Sequence, residues 1–197
     1  MSKIKKSDRT KSEILDVAWE VIAREGAAVK LQVIATEAGV TRQSVYNHFG
    51  TRAGLLIALV RHADETFCIW EGFTAAMSKA SALAKLEGCL DAWLAFVPKI
   101  HPVAMHLIGS LANDKDAAAA WNDRMSELKK FYHQLVEELK TAGILRADLD
   151  KKTAVDLLWS LSSMQSWDLL VHQCGWNHIQ ANTQIKQVVF STLLVEK

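Results

Sequence analysis

A short polar run in the first quarter of the chain carries side chains that can hydrogen bond to nucleic-acid bases and phosphates. Val45 and Phe49 are four residues apart, so on a helix they share the inward face and leave the polar neighbours largely outward. Outward Arg, Gln, Ser, Tyr and Asn side chains can donate to, or accept from, base edges and phosphate oxygens. An ordinary surface helix has the same kind of polar face, so the run fits either reading. The polar residues are Arg42, Gln43, Ser44, Tyr46 and Asn47.

The residues before this run form the pattern of a second short helix that ends in a glycine turn. Its apolar side chains recur at helical spacing, with alanines where another helix must approach closely. Gly39 reaches the left-handed backbone conformation without steric cost, which is typical of the residue after a helix. Thr41 is a predicted N-cap for the following helix. The spacing therefore predicts either a DNA-reading helix-turn-helix or an ordinary helical hairpin. The apolar positions are Leu31, Ile34, Ala35 and Ala38.

The positive charge of the chain is concentrated at its start. Residues 1–62 hold ten Lys or Arg against six Asp or Glu, whereas residues 63–197 hold thirteen against sixteen. A basic head on a mildly acidic body is typical of a phosphate-binding module joined to another domain. The first positive charges fit either a solubilising disordered tail or an arm near the DNA backbone or minor groove. These charges belong to Lys3, Lys5, Lys6, Arg9 and Lys11.

The composition predicts an all-α fold. Alanine and leucine are abundant, while nine glycines and two prolines in 197 residues are too few for a turn-rich β fold. We expect a first helix from residue 8 or 12 to residue 25. Each proline is expected to end or begin a helix, because the residue before proline avoids the helical conformation. The periodicity places further helices at 52–77, 81–97, 102–113, 116–141, 153–174 and 179–195.

Several function classes are disfavoured by what the sequence lacks. The longest apolar runs fall short of the roughly 18 residues that span a bilayer, and no apolar segment follows the basic start. We therefore expect a cytoplasmic protein without a membrane partner. The sequence has no dinucleotide, P-loop, nucleophile-elbow or metalloprotease motif, so we predict neither an enzyme nor a cofactor. His172, Cys174 and His178 match no usual zinc spacing, and no metal site is predicted.

The sequence IATEAGVTRQSVYNHF followed by Gly-Thr-Arg resembles the N-terminal domain of TetR-type repressors, over roughly residues 9–59. Two positions depart from the common pattern, Val29-Lys30 and Arg52-Ala53, and both changes keep or add positive charge. The resemblance implies a three-helix DNA-binding domain with a helix-turn-helix over residues 1–51. It also implies a helical ligand-binding and dimerisation domain over residues 52–197. A two-fold dimer would bind a palindromic operator on double-stranded DNA.

The same resemblance assigns roles to individual residues. Arg42, suited to guanine, Gln43, suited to adenine, and Ser44 correspond to the base-reading positions. The phosphate contacts it implies are Tyr46, His48 and Arg52, with Lys30 near the preceding helix. His48 fits equally well as a helix-edge residue packed against Val45. Asn47 and the capping Thr41 complete the predicted DNA-binding set.

The last two predicted helices are apolar on more than one face, which favours a self-complementary dimer interface over a hairpin packed on its own domain. In the family, the last two helices of each subunit form a four-helix bundle. Small serines at 160, 162 and 163 would permit close helix approach. The predicted interface residues are Leu157, Leu161, Met164, Ile185, Val189 and Leu193.

Six of the seven tryptophans lie in residues 63–197. They would either pack in the core or line a pocket for a flat or cationic hydrophobic ligand. The candidate ligand contacts are Trp70, Trp93, Met105, His106, Trp121, Met164, Gln165, Trp167 and Asp168. The sequence thus favours a homodimeric repressor whose small-molecule effector shifts the helix that begins near Arg52. A helical carrier or enzyme whose basic head binds no specific DNA is the alternative.

Overall fold

The computed structural model describes the backbone of residues 3–195 and the side chains of residues 7–195. Over this range the chain is helical, with an isolated antiparallel bridge between Leu145 and Leu194, so the all-α prediction is confirmed. No helix in that range is long and apolar enough to cross a membrane. A π-helical turn, Leu169–Gln173, follows α9. The α-helices are α1 Lys3–Glu25, α2 Leu31–Glu37, α3 Arg42–Phe49, α4 Arg52–Thr66, α5 Ile69–Met77, α6 Ala82–Ser110, α7 Lys115–Thr141, α8 Lys151–Leu161, α9 Met164–Asp168 and α10 His178–Leu193.

The chain divides into two compact units. The first unit consists of Met1–Phe67 and Ile100–Met125, and the second of Cys68–Lys99 and Ser126–Lys197. Packing groups the whole of α4 with the three helices before it, whereas the sequence prediction placed the domain boundary after residue 51. That boundary stays a prediction.

The local signals of the helix-turn-helix are confirmed. Gly39 has a φ of +65° after α2, and the Thr41 hydroxyl oxygen accepts from the backbone N–H of Ser44 at 3.0 Å. The N-terminal helix, however, begins at Lys3 rather than at residue 8 or 12. No glycine or proline interrupts residues 3–25, so nothing in the backbone opposes the longer helix. The side chains of Lys3, Lys5 and Lys6 lie outside the described residues.

The prediction of a single helix over residues 52–77 is wrong, because one helix ends at Thr66 and the next begins at Ile69. Cys68 has a φ of +54°, the left-handed conformation that usually follows a helix at glycine. Phe67 lies edge-to-face with Trp19 on α1, with ring centroids 6.2 Å apart. A tertiary contact therefore accompanies the end of α4. The sequence gave no local signal for this helix end, because a cysteine stands where a glycine would be expected.

The helix breaks predicted at the two prolines are also wrong, because α6 runs through both Pro98 and Pro102. Pro98 has no N–H to donate to the carbonyl oxygen of Leu94. The side-chain amide of Asn182 on α10 donates to that oxygen at 3.4 Å instead. Asn182 also accepts a 3.0 Å hydrogen bond from the buried indole N–H of Trp167. One side chain thus satisfies both groups within the second unit.

The helix predicted over residues 153–174 is interrupted at Ser162 and Ser163. The Ser163 hydroxyl oxygen accepts from the backbone N–H of Ser166 at 3.1 Å and begins α9. The Ser162 carbonyl oxygen accepts from the Trp93 indole at 2.7 Å, and its hydroxyl lies 3.0 Å from the Tyr132 hydroxyl. These serines therefore end one helix, begin the next and satisfy buried polar groups, rather than only permitting close approach.

Ion pairs join α4 to the first part of α7 inside the first unit. Arg52 binds Asp114 at 2.8 Å, and Arg61 binds Asp123 at 2.9 Å. Asp64 and Arg124 form a fully buried pair at 2.6 Å, with side chains only 4% exposed. Removing one partner of a buried pair leaves an uncompensated charge, so each of these two residues depends on the other to remain buried.

Replacing Asn182 with alanine leaves the Trp167 indole N–H and the Leu94 carbonyl without their side-chain partner. We expect Asn182→Ala to lower the free energy of unfolding by about 1–3 kcal/mol, because buried unpaired polar groups keep their full desolvation cost. Urea denaturation followed by circular dichroism measures this. Gln187→Ala, an exposed amide on the same helix, is the matched control. Equal stability of the two variants would contradict this account of α6.

The stability provided by Asp114 should depend on pH. The Arg52 guanidinium and the first backbone N–H groups of α7 hold the pKa of the Asp114 carboxyl below its usual range. Since the unfolded pKa is about 3.9, the stabilisation is complete above that pH and is lost as pH falls through the lower folded pKa. Urea denaturation at a series of pH values should show the difference between wild type and Asp114→Asn shrinking below about pH 4. A difference that stays constant to lower pH would contradict the prediction.

Candidate nucleic-acid interface

The exposed face of α3 is the polar face that the sequence predicts. Val45 is completely buried, and Phe49 is half-buried at the end of the helix. Arg42, Gln43 and Asn47 are exposed, whereas Ser44 and Tyr46 are half-buried. Because one apolar side chain fixes the inward direction, three donor and acceptor side chains project from the opposite side of a short helix.

Two side-chain pairs, each spanning one helical turn, organise this face. The Arg42 guanidinium donates to the Tyr46 hydroxyl at 3.0 Å and lies 5.3 Å from the centre of its ring. The Gln43 amide donates to the Asn47 carbonyl oxygen at 3.0 Å. This leaves the Gln43 carbonyl oxygen as an acceptor and the Asn47 amide as a donor. An adenine presents the complementary donor and acceptor in the major groove, while an Arg fork suits guanine.

Cations flank both ends of the helix-turn-helix. Lys30 is exposed immediately before α2, as the sequence predicts. Lys11 is exposed on α1, with its Nζ 6.0 Å from the Phe49 ring at the end of α3. The sequence interpretation placed Lys11 in either a disordered tail or an N-terminal arm, and it missed the position of Lys11 beside α3. Arg9 is paired with Glu13 at 2.7 Å, so part of its charge is already neutralised.

The predicted phosphate contacts differ in their availability. Tyr46 is held by Arg42 on the exposed side of α3. His48 is half-buried, with its ring centroid 6.0 Å from that of Phe49. Arg52 instead directs its guanidinium to Asp114 and Asp116, and its side chain is only 21% exposed. A phosphate contact by Arg52 stays a prediction, and it would require those ion pairs to open.

The arrangement is suited to binding a polyanionic duplex by a short helix. Thr41 satisfies one amide at the N-terminus of α3, where the helix dipole favours an anion. The exposed amides and guanidinium can read base edges, and the flanking lysines can approach phosphates.

The residues predicted to bind a ligand are divided between the two compact units. Met105, His106 and Trp121 belong to the first unit, where exposed His106 lies 3.3 Å from the Ala23 carbonyl oxygen. The others belong to the second unit, and two of them are committed to structural hydrogen bonds through their indole N–H groups. These are Trp93, bound to Ser162, and Trp167, bound to Asn182. Met164 is buried, Gln165 exposed, and Trp70 and Asp168 half-buried.

An aromatic cluster in the second unit was missed by the sequence interpretation. Phe73 and Phe131 stack with ring centroids 4.4 Å apart. Trp70 lies edge-on to both rings, at 5.7 Å and 6.5 Å. Phe73 and Phe131 are 58 positions apart in sequence, so no local pattern signals their stacking.

The predicted dimer residues lie largely in the interior of the chain's own fold. Met164, Ile185, Val189 and Leu193 are at most 4% exposed, and only Leu157 and Leu161 are half-buried. The apolar periodicity of the last helices therefore includes the chain's own core, where α10 packs against α8. A partner would meet other side chains of α10 first. The exposed large apolar residues of this region are Leu169, Ile179, Val188 and Val195.

One segment of the first unit matches a known family model. Residues 14–59, which contain α2, α3 and the start of α4, match the model described as bacterial regulatory proteins, tetR family.

Solved structures share the fold over nearly the whole chain. A protein from Saccharomonospora viridis, solved in complex with choline, is 16% identical, with a TM-score of 0.76 over 96% of this chain and 100% of that chain. The regulator FadR from Bacillus subtilis, solved with stearoyl-CoA, is 19% identical, with a TM-score of 0.74 over 91% and 97%. A TetR transcription regulator from Haloarcula marismortui is 14% identical, with a TM-score of 0.72 over 95% and 100%.

The capped helix-turn-helix and its polar α3 face therefore occur in the segment that matches the family model, within a chain that has the fold of TetR regulators throughout. Residues 14–59 are thus similar to the bacterial regulatory proteins of the tetR family, and the chain as a whole shares the fold of solved regulators of that kind.

Proposed function

We propose that the protein is a ligand-responsive transcriptional repressor that binds a palindromic operator as a homodimer and is released by a small effector. The observation that carries this proposal is the exposed donor and acceptor face of α3, formed by Arg42, Gln43 and Asn47. It lies within the segment that matches the tetR family model.

In the proposed complex, α3 enters the major groove. Arg42 leaves or shares its contact with Tyr46 to bind a guanine, and the linked amides of Gln43 and Asn47 bind an adenine. Lys11 and Lys30 supply phosphate contacts, which position the helix and make binding dependent on salt.

A two-fold dimer would present two α3 helices to one face of the duplex. Half-sites would then be separated by about one helical turn, roughly 34 to 36 Å, or somewhat more. The outward side of the α8–α10 hairpin supports this proposal, because Val188 is 44% exposed and Leu157 and Leu161 are partly exposed. Burying exposed apolar side chains is the main gain in protein association.

The effector we propose is small and either hydrophobic or an aromatic-binding cation. One structural neighbour was solved with choline, which is a cation, and another with stearoyl-CoA, which carries a hydrophobic acyl chain. Among the predicted ligand residues, Trp70 is the strongest candidate, since it is half-buried and edges the Phe73–Phe131 stack. An effector releases DNA only if it binds the DNA-incompetent state more tightly, and a coupling of about 1 to 3 kcal/mol is typical.

Removing the two base-reading side chains should abolish sequence preference. The protein first selects its tightest duplex from a random-sequence library, and fluorescence anisotropy then compares that duplex with a scrambled one. We expect Arg42→Ala with Gln43→Ala to lose about 1–3 kcal/mol of affinity for each lost bidentate contact, while binding to the scrambled duplex changes little. Gln134→Ala, an exposed amide on α7, is the control. Equal binding of both duplexes by wild type would favour the carrier or enzyme alternative.

Charge on the outward face of α10 should prevent dimerisation. We expect wild type to sediment as a dimer and Val188→Asp as a monomer, because the new carboxylate would lose hydration in an apolar interface. Sedimentation velocity measures both, with Ala75→Asp on the exposed side of α5 as the control. A monomeric wild type contradicts the homodimer proposal, and a dimeric Val188→Asp places the interface elsewhere.

A further inference from the structure

Arg52 connects three segments of the first unit. Its two terminal nitrogens donate to the two carboxylate oxygens of Asp114, each at 2.8 Å, which is the bidentate geometry of a strong charge-assisted pair. The same guanidinium binds Asp116 at 3.2 Å and the carbonyl oxygen of Ala27 between α1 and α2. We name these four residues the Arg52 junction.

The acidic side of the Arg52 junction is itself fixed. One Asp114 oxygen accepts from the backbone N–H groups of Asp116 and Ala117, both at 3.1 Å, at the start of α7. The Asp114 side chain is 17% exposed and that of Arg52 21%, so solvent screens the pair only partly. The carboxylate therefore holds Arg52 against a helix end rather than against a freely moving chain.

On its other side, the Arg52 junction lies next to the end of α3. Arg52 is the first residue of α4, three positions after the last residue of α3. A Cβ added at Gly54 would overlap the carbonyl oxygen of Phe49, so the first turn of α4 touches the end of α3 through backbone. Thr51 also caps this turn by accepting from the Gly54 N–H at 3.0 Å. Displacing Arg52 would therefore displace the end of α3.

We propose that Asp114, acting through Arg52, is a positioning residue for the DNA-reading helix α3. This inference rests on the proposed DNA binding. It assigns Arg52 to positioning rather than to phosphate contact, and it predicts an effect of unusual sign. Neutralising an acidic residue in a DNA-binding unit normally strengthens binding by reducing repulsion of the phosphates. Neutralising Asp114 should instead weaken binding.

The test compares variants on the duplex selected by wild type, across a series of salt concentrations. Asp114→Asn keeps a side-chain oxygen that can cap α7 but loses the ion pair. Arg52→Lys keeps the charge but cannot bind both carboxylate oxygens in a fork. We expect each variant to bind about 3- to 30-fold more weakly, with the salt dependence unchanged. Asp123→Asn, which removes the same charge from the Arg61 pair farther along α4, should stay within about twofold of wild type.

A direct phosphate contact by Arg52 gives the opposite pattern. Arg52→Lys would then bind nearly as well as wild type, and Arg52→Gln would lower the slope of log affinity against log salt by about one. Asp114→Asn would bind equally well or more tightly. That pattern would overturn the inference while leaving the proposed DNA binding intact.

Hydrogen exchange of the free protein tests the Arg52 junction without DNA. We expect amides over residues 42–55 to exchange faster in Asp114→Asn and Arg52→Lys, by more than the increase that the lower global stability gives to the rest of the fold. Unchanged exchange in that segment would overturn the inference. If exchange rises as expected but wild type selects no duplex over scrambled DNA, the junction stands and the DNA-binding function is what fails.

Discussion

The position of α3 depends on how its two ends are held, because a helix of eight residues has little packing of its own. Val45 provides a fully buried contact, and Thr41 caps the first turn. The last turn meets the first turn of α4 through backbone, and Arg52 fixes that turn to Asp114. The polar face of α3 is therefore presented by contacts at both ends, while the side chains that would read DNA remain exposed.

Local features of the helix-turn-helix were predictable from the sequence because each has a local cause. A glycine with positive φ ends α2, a threonine begins α3, and apolar side chains four apart set the inward face. The role of Arg52 could not be predicted in this way, because no local sequence feature indicates it. Its partner Asp114 is 62 positions away, so the sequence showed only a basic residue at a position where the family suggests a phosphate contact.

The second unit was harder to predict because its determinants are tertiary. Asn182 supplies the donor that Pro98 cannot, which lets α6 continue through a residue that normally ends a helix. The apolar faces of the last helices could equally have packed within the chain or against a partner, and periodicity alone cannot separate these uses. In the structure, Ile185, Val189 and Leu193 are used for the chain's own core, which leaves Val188 on the outward side.

The central claim is that Arg42 on α3 reads a guanine in the major groove. Replacing guanines of the selected duplex one at a time with 7-deazaguanine removes the N7 acceptor but keeps base pairing. At one position in each half-site, wild type should lose about tenfold in affinity while Arg42→Ala loses none. If every substitution affects wild type and Arg42→Ala equally, Arg42 does not read guanine N7 and the account of α3 is contradicted.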